Sequence, residues 1–339
     1  MDDKSSKRTK NQIFNNYSKY YSKRSESIST CIADDCGAQT IYSHSISKNA
    51  VLKNISTNGL VCGPLIKNKN ICMCEIGIER QASVFPAFCN PHDTTLFSEL
   101  DEPNMSDFSR SFFEQLILRT ISREIYTHRR NLKMTETVIN QANLEFVNAK
   151  TELISDFNNT LSNTNIKIKD WNDSRFLHNK YLADLNEKLE NDKVRLKSLL
   201  NFYIEEKPET VRCLKIYKSL PVAFSGLTNF YKNGSEIRMI INCLPYKDWT
   251  ILAIANTSKN DDVIQNQFFS KYDLSNENSI LKLIETLAVN GTDNIFFDIK
   301  YWKSLSSEIS KKYLEDFSNF NAIDPRKNLK YSFLKWNYK

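Results

Sequence analysis

The stretch that decides the N-terminal fold reads Phe88-Cys89-Asn90-Pro91-His92-Asp93. Cys89 and His92 are three residues apart, so both side chains can face one centre from a turn that enters a helix. The chain has only 4 histidines, and one of them stands in this hexapeptide. Thiolate sulfur together with imidazole nitrogen is a donor set that suits Zn²⁺ in structural sites. The hexapeptide therefore predicts half of a tetrahedral zinc site.

The other half of the predicted site lies upstream, where Cys31 and Cys36 are separated by four residues. This pair can form a knuckle turn, and Gly37 is placed to relieve the backbone there. Two short pairs of thiol or imidazole ligands with a long span between them are typical of structural zinc. We expect Zn²⁺ to be held by Cys31, Cys36, Cys89 and His92. The alternative is a set of unrelated buried cysteines.

Three further cysteines lie between the two pairs: Cys62, Cys72 and Cys74. Cys72 and Cys74 are two residues apart in an apolar run, so in a strand both thiols face the same side. They could replace one of the expected zinc ligands or bind a second ion, and their sequence does not decide between these roles.

The segment 31–97 resembles the zinc-stabilised HNH endonucleases of the ββα-metal type. Ser43-His44-Ser45-Ile46 is similar to the hairpin element of that family, and Cys89-x2-His92-Asp93 is similar to its helix element. The resemblance implies that His44 is the general base that activates water. It also implies that Asp93 helps to hold a catalytic Mg²⁺ or Mn²⁺ beside the zinc. From the residues alone, His44 has two other roles open, as a zinc ligand or as a structural residue that hydrogen-bonds the backbone.

The segment 105–205 contains neither glycine nor proline, and apolar residues recur in it at helical spacing. Asparagines around 158–165 indicate a turn between two long antiparallel helices. The second helix has a 3-4 spacing that resembles a short coiled-coil seam. The seam residues are Leu182, Leu185, Leu189, Asp192, Leu196, Leu199 and Tyr203. Such a helical hairpin predicts a spacer, a homodimer contact or a protein partner.

The segment 206–339 changes character and reads as an α+β domain. Apolar runs at 211–217, 236–244 and 249–255 predict strands, and Asn233-Gly234 is a hairpin-type turn. Helices are expected at 279–287 and 303–317. These elements favour a mostly antiparallel sheet, and no catalytic constellation stands out among them.

The sequence thus predicts an α+β multidomain protein in four segments. Its parts are a basic N-terminal arm (1–29), a zinc-binding treble-clef or HNH-like domain (30–104), a coiled-coil-like helical hairpin (105–205) and an α+β domain (206–339). The arm is either a solvated tail or a nucleic-acid contact. The cations that would bind phosphates are Lys7, Arg8, Lys10, Lys19, Lys23 and Arg24.

Composition bounds the function only loosely. The net charge of +6 permits a polyanionic partner without requiring one. No glycine-rich phosphate loop, secretory signal or run of eighteen apolar residues is found, so we expect a cytoplasmic protein without a membrane span.

Two functions follow as expectations. The first is a metal-dependent HNH-like nuclease acting on DNA or RNA, and its modular build is associated with bacterial or phage antiviral defence. The second is a non-catalytic zinc-stabilised scaffold or sensor that binds through the helical arm and the C-terminal domain. A second divalent-ion site at His44 and Asp93 would distinguish them.

Overall fold

The structure, a computed structural model, describes residues 30–33, 35–67, 70–101, 108–159, 164–318 and 329–336. Within the long helices it describes side chains only up to 144 and from 178 onward. The six cations of the predicted arm lie outside these residues, so their contact with nucleic acid stays a prediction. Helices and one large antiparallel sheet make up the described chain, which confirms the α+β class in this coarse form. None of the helices in the described ranges combines the length and the apolar character that a membrane crossing needs.

The largest element is an antiparallel sheet that contains seven of the described strands. The strands are β1 (Ser43–His44), β2 (Leu60–Lys67), β3 (Asn70–Gly77), β4 (Val84–Phe85), β5 (Thr210–Ile216), β6 (Val222–Lys232), β7 (Ser235–Pro245), β8 (Thr250–Asn256) and β9 (Ile295–Phe297). Among the described strands, β1 and β4 form a separate two-stranded sheet, and the large sheet has the order β3-β2-β9-β6-β7-β8-β5.

The longest hairpin of the sheet joins β6 to β7. Asn233 and Gly234 both have positive φ, at 51° and 79°. A two-residue turn of this type matches the right-handed twist of the flanking strands, and asparagine and glycine tolerate its backbone. The turn sets a register in which Lys232 faces Ser235, which confirms the hairpin predicted at this dipeptide.

The N-terminal hairpin β2–β3 belongs to the same sheet as the C-terminal strands. Cys62 of β2 pairs with Phe297 of β9, which links segment 30–104 to segment 206–339. At Gly63, an added Cβ would lie 2.7 Å from Ile76 and 2.8 Å from Phe296, so the absence of a side chain permits this close packing.

The chain divides into one compact unit of Ser29–Tyr126 with Asn201–Lys339 and another that includes Thr127–Leu200. The boundaries predicted at 104 and 205 differ from this division because strand pairing across more than 200 residues leaves no local sequence signal.

The helices are α1 (Asn90–Leu96), α2 (Ser98–Asp101), α3 (Arg110–Asn159), α4 (Thr164–Asn201), α5 (Asp261–Gln267), α6 (Glu277–Asn290), α7 (Ile299–Ser304) and α8 (Ser307–Ser318). The Asn276 side chain caps α6 by accepting a hydrogen bond from the Ser279 N–H. Leu283 and Leu287 of α6 are fully buried in the main core with apolar residues of the sheet. The first turns of α3 reach the sheet through Thr120, whose hydroxyl donates to Asn242 at 3.2 Å.

Helices α3 and α4 confirm the helical character predicted for 105–205. In the unit that includes Thr127–Leu200, Val138 and Ala142 of α3 pack with Tyr181 and Leu185 of α4. The buried residues Leu185, Asp192 and Leu199 follow a spacing of seven along α4. The two helices therefore share an apolar contact, while the coiled-coil geometry stays a prediction.

The close packing at Gly63 generates a stability prediction. Gly63→Ala should lower the free energy of unfolding by about 1–3 kcal/mol, because the new methyl group would overpack Ile76 and Phe296. The shift in the urea midpoint measures this loss.

Gly37→Ala is the matched control, since no atom of the described residues lies within 4 Å of a Cβ added there. Equal urea midpoints for the wild type and the Gly63→Ala protein would contradict the docking of β2 against β9.

Candidate metal centre and adjacent cleft

The first pair of predicted ligands lies on a tight turn. The Cys31 N–H donates to the Ala38 carbonyl at 2.9 Å, and the Cys36 N–H donates to the Ala33 carbonyl at 3.2 Å. Asp35 has the left-handed conformation in this turn, with φ of 56°, whereas Gly37 shows no positive φ. The expectation that Gly37 relieves the knuckle is therefore wrong. Asp35 does so instead, because aspartate tolerates the left-handed region better than most residues.

The second pair lies where α1 begins. Cys89 is the N-cap residue with an extended backbone, and its carbonyl accepts from the Asp93 N–H at 2.9 Å. Pro91 stands in the first turn, where its missing N–H costs no hydrogen bond. Two backbone hydrogen bonds hold this segment against the segment that carries Cys31 and Cys36. The Ile32 N–H donates to the Ala87 carbonyl and the Ile41 N–H donates to the Phe88 carbonyl, both at 2.8 Å. Backbone pairing thus brings the two ligand pairs together.

The four ligand atoms converge on one point. The Cys31 sulfur is 3.4 Å from Nδ1 of His92, and the Cys89 sulfur is 3.2 Å from the same nitrogen. The sulfurs of Cys36 and Cys89 are 3.9 Å apart, and all four ligand atoms lie within 4.8 Å of one another. A tetrahedral zinc has edges of about 3.8 Å between two sulfurs and about 3.5 Å between sulfur and nitrogen. The cluster therefore has the size of a Cys₃His zinc site.

The chemistry of these groups also suits a cation. Burial opposes ionisation of Cys31, but hydrogen bonds from the Cys89 and Ala33 backbone and from His92 lower its pKa to about 7. The pKa of Cys36 is raised: a backbone N–H at Ala38 stabilises its thiolate, but burial and the neighbouring thiols outweigh it. Several thiolates cannot share so small a volume without a positive charge between them. All three cysteines are free thiols, so no disulfide competes for them.

His44 is not a member of this cluster. It lies on β1, opposite Val84 of β4, and its Nε2 is 2.8 Å from the Ile78 carbonyl oxygen. A carbonyl only accepts, so Nε2 carries the proton and the neutral ring keeps its lone pair on Nδ1. Burial lowers the pKa of His44 and outweighs the hydrogen bond to Ile78, so the neutral ring is favoured. The sequence leaves three roles open for His44: general base, zinc ligand and structural residue. Its position outside the cluster does not agree with zinc ligation.

Asp93 follows the zinc-ligand candidate His92 and faces the same region as His44. Its Oδ1 is buried and has no hydrogen-bond partner among the described residues. Burial raises the pKa of this carboxyl group, although the Arg119 charge and the Ser43 hydroxyl oppose the shift. An unsatisfied buried carboxylate oxygen is costly unless a cation or a proton accompanies it.

His44 and Asp93 both line a cleft of about 470 Å³ beside the cysteine cluster. Its other charged lining residues are Lys48, Glu79, Asp101 and Arg119. The Arg119 side chain is only 2% exposed. Its guanidinium donates twice to the Asp101 carboxylate, at 3.0 and 3.3 Å, and lies over the Phe97 ring. Lys48 pairs with Glu79 at 2.8 Å.

The four charged residues that complete the cleft were not predicted from the sequence. Arg119 carried a usable signal, since it stands among Leu116, Ile117 and Thr120 on the buried stripe of α3. An arginine on such a stripe needs a partner, and the partner marks a site. Lys48 and Glu79 gave no signal, because exposed charges of this kind are frequent on any surface.

The cleft is lined by residues of β1, α1, α2 and α3, and a long segment separates β1 from its partner strand β4. This segment includes the hairpin β2–β3, which leaves the β1–β4 pair and joins the large sheet. Ser45 follows β1 and receives a hydrogen bond from the Asn294 side-chain amide at 2.9 Å. Ser45 and Ser83 also share a hydrogen bond of 2.6 Å, so buried polar contacts fix the strand pair to the sheet.

Comparison with protein-family models, with curated proteins and with solved structures gives no match.

The geometry of the cluster generates a prediction for metal content. The purified wild type should contain about one zinc per chain, and Cys31→Ser or Cys89→Ser should lose it, because a serine hydroxyl is a poor zinc ligand. Elemental mass spectrometry after gel filtration measures this. The free energy of unfolding should fall by more than about 4 kcal/mol in Cys89→Ser, since a structural metal contributes directly to folding.

Cys243→Ser is the matched control, because Cys243 is a buried thiol outside the cluster. Zinc content that is the same in wild type and in Cys89→Ser would rule out this cluster as the metal site.

Proposed function

We propose that the protein is a metal-dependent, HNH-like nuclease whose N-terminal part is held by a structural zinc in a treble-clef arrangement. The observation that carries this proposal is the position of His44 and Asp93 on one cleft, next to the Cys₃His cluster. A base, a carboxylate and cationic side chains within one concave site are the parts that hydrolysis of a phosphodiester needs.

His44 is the proposed general base. Its Nε2–H is held by the Ile78 carbonyl, which fixes the ring and leaves Nδ1 to accept a proton. Nδ1 removes a proton from water, the hydroxide oxygen bonds to phosphorus, and the bond from phosphorus to the leaving oxygen breaks. The lowered pKa supports this role because the ring is neutral before the step.

Asp93 is the proposed ligand of the catalytic ion. A divalent cation such as Mg²⁺ or Mn²⁺ would stabilise the negative charge that develops on the phosphate oxygens. Oδ1 of Asp93 is suited to such an ion because it is buried and lacks a hydrogen-bond partner among the described residues. Arg119 lines the cleft but is buried and paired with Asp101, so its proposed role is to position the Asp101 carboxylate there.

The partners follow from the same proposal. The substrate is DNA or RNA, and the basic residues from Lys7 to Arg24 add phosphate contacts along the chain. The helices α3 and α4 form a coiled-coil-like hairpin that binds a second copy or another protein. Val194 and Leu144 support this role, since their side chains are 66% and 59% exposed on the helices.

The role of His44 generates the central activity prediction. With Mg²⁺ or Mn²⁺ present, His44→Ala should reduce cleavage of plasmid DNA or of a long RNA by about 10²–10⁴-fold, the range for loss of a general base. The zinc content and the circular dichroism spectrum should stay unchanged, because His44 lies outside the cluster.

His178→Ala is the matched control, since His178 lies on α4 in the other compact unit. Loss of zinc in His44→Ala would make His44 a ligand and end the catalytic assignment. A zinc-loaded wild type that cleaves neither DNA nor RNA would instead favour the non-catalytic scaffold.

The environment of His44 also generates a pH prediction. Because burial favours the neutral ring, the acid limb of kcat/KM should fall below pH 6.5, the ordinary pKa of histidine. Lowering the pH protonates the ring and removes the base. The value of kcat/KM should therefore decline toward acid pH and reach its maximum at pH values above the acid limb. A pH profile at saturating metal checks this, and an acid limb above pH 6.5 would contradict it.

A further inference from the structure

A pair of thiols that does not belong to the metal centre lies on the edge strand β3. Cys72 and Cys74 are two residues apart on this strand, and their sulfurs are separated by 3.3 Å. Both side chains are half-buried and both are free thiols. Strand β3 is the end strand in the order of the described sheet, so one side of it has no partner strand there. The pair is thus accessible to small molecules.

Among the described residues of the sheet, no third cysteine lies on the same face next to Cys72 and Cys74, where it could form a disulfide with either of them. Cys62 is the closest in the sheet, but it stands opposite Glu75 on β3, whereas Cys74 stands opposite Gly63. Residues that face each other across a ladder share a side, so Cys62 lies on the opposite face from Cys74. Among the described residues, the group that can hold a metal consists of Cys31, Cys36, Cys89 and His92, without Cys72 or Cys74.

The surroundings differentiate the two thiols. The Lys67 ammonium lies beside the Cys74 thiol, and the interaction between them raises the pKa of Lys67. A neighbouring ammonium attracts an anionic disulfide such as oxidised glutathione toward this sulfur. The Cys72 thiol donates instead to the Leu65 carbonyl at 3.4 Å, and burial together with Cys74 raises its pKa. Cys74 is therefore suited to attack first and Cys72 to act second.

We propose that Cys72 and Cys74 form a redox-active dithiol that is oxidised reversibly to an intrastrand disulfide by small-molecule disulfides of the glutathione type. The Cys74 thiolate attacks one sulfur of the oxidant, which releases one small thiol and leaves a mixed disulfide on Cys74. The Cys72 sulfur then attacks the Cys74 sulfur and releases the second small thiol. The two protein thiols lose two electrons and two protons in total, and the oxidant gains both.

The strand geometry explains why this disulfide would be readily reduced. Residues i and i+2 of a strand have Cα atoms about 6.6–6.8 Å apart, at the upper end of the range for disulfides. Their Cβ atoms lie about as far apart, beyond the ~3.5–4.5 Å of a disulfide, so β3 has to bend where the bond forms. A bond formed at this limit is strained, and strained, exposed disulfides have the higher reduction potentials of labile rather than structural bonds. The pair would therefore respond to the ratio of thiols to disulfides around the protein.

The test uses the full-length, zinc-replete protein incubated with oxidised glutathione, then alkylated in denaturant and digested with trypsin. The peptide 70–80 contains Cys72 and Cys74 and no other cysteine, because Lys69 and Arg80 bound it. In the oxidised sample this peptide should resist alkylation and be lighter by two hydrogen atoms than the reduced one. Brief treatment with dithiothreitol should restore two alkylation sites.

The variants separate the two roles. Cys72→Ser should accumulate the glutathione adduct on Cys74, because the resolving thiol is missing. Cys74→Ser should react more slowly than Cys72→Ser by about 10-fold or more, since it lacks the thiol beside Lys67. Both substitutions lie outside the zinc ligands, so the zinc content should stay at the wild-type level.

A wild-type peptide that carries glutathione on both cysteines, or stays fully reduced while the adduct forms in Cys72→Ser, would overturn the proposal. Loss of zinc with oxidation of Cys31, Cys36 or Cys89 in place of Cys72 and Cys74 would overturn it as well. None of these outcomes depends on nuclease activity, so the dithiol is tested independently of the proposed function.

Discussion

Three thiols and one imidazole within 4.8 Å of one another are the constraint on which the N-terminal part of the protein depends. Cys31 and His92 are 61 residues apart, so the cluster closes a long loop. Loop closure costs entropy, and crowded thiolates repel one another, so both costs need a favourable contribution. A zinc ion would supply this contribution, and the same ion would hold the start of α1 against the turn that contains Cys31 and Cys36.

The functional consequence of this constraint is the position of the cleft. His44 reaches it from β1 and Asp93 from the first turn of α1, immediately after His92. The strand pair is itself anchored to the sheet, since Asn294 donates to Ser45 and Ser45 bonds to Ser83. Displacement of the cysteine cluster would thus move Asp93 relative to His44. The metal centre is a positioning device for the cleft in this account, and the sheet is its rigid support.

The ligand set could be predicted because metal binding needs particular residue types at short local spacings, and both pairs satisfy this rule. The Asn233-Gly234 hairpin could be predicted for the same reason, since two positive φ values restrict the residues. The continuous sheet could not, because pairing between Cys62 and Phe297 depends on the complete fold. Gly63 precedes Pro64, a dipeptide typical of turns, yet it lies inside β2 and permits close packing there. The charged residues Lys48, Glu79 and Asp101 of the cleft could not be predicted from the sequence either. Arg119 could have been, because an arginine on the buried stripe of a helix needs a partner.

The coordination of the metal in the purified protein tests this account most directly. X-ray absorption at the zinc edge should show three sulfur ligands at about 2.3 Å and one nitrogen ligand at about 2.0–2.1 Å. This shell would assign the ion to Cys31, Cys36, Cys89 and His92, which form the Cys₃His group of the described chain. A shell of oxygen and nitrogen ligands, or a protein that purifies without stoichiometric zinc, would contradict the account. The cleft would then have to be positioned by some other part of the fold.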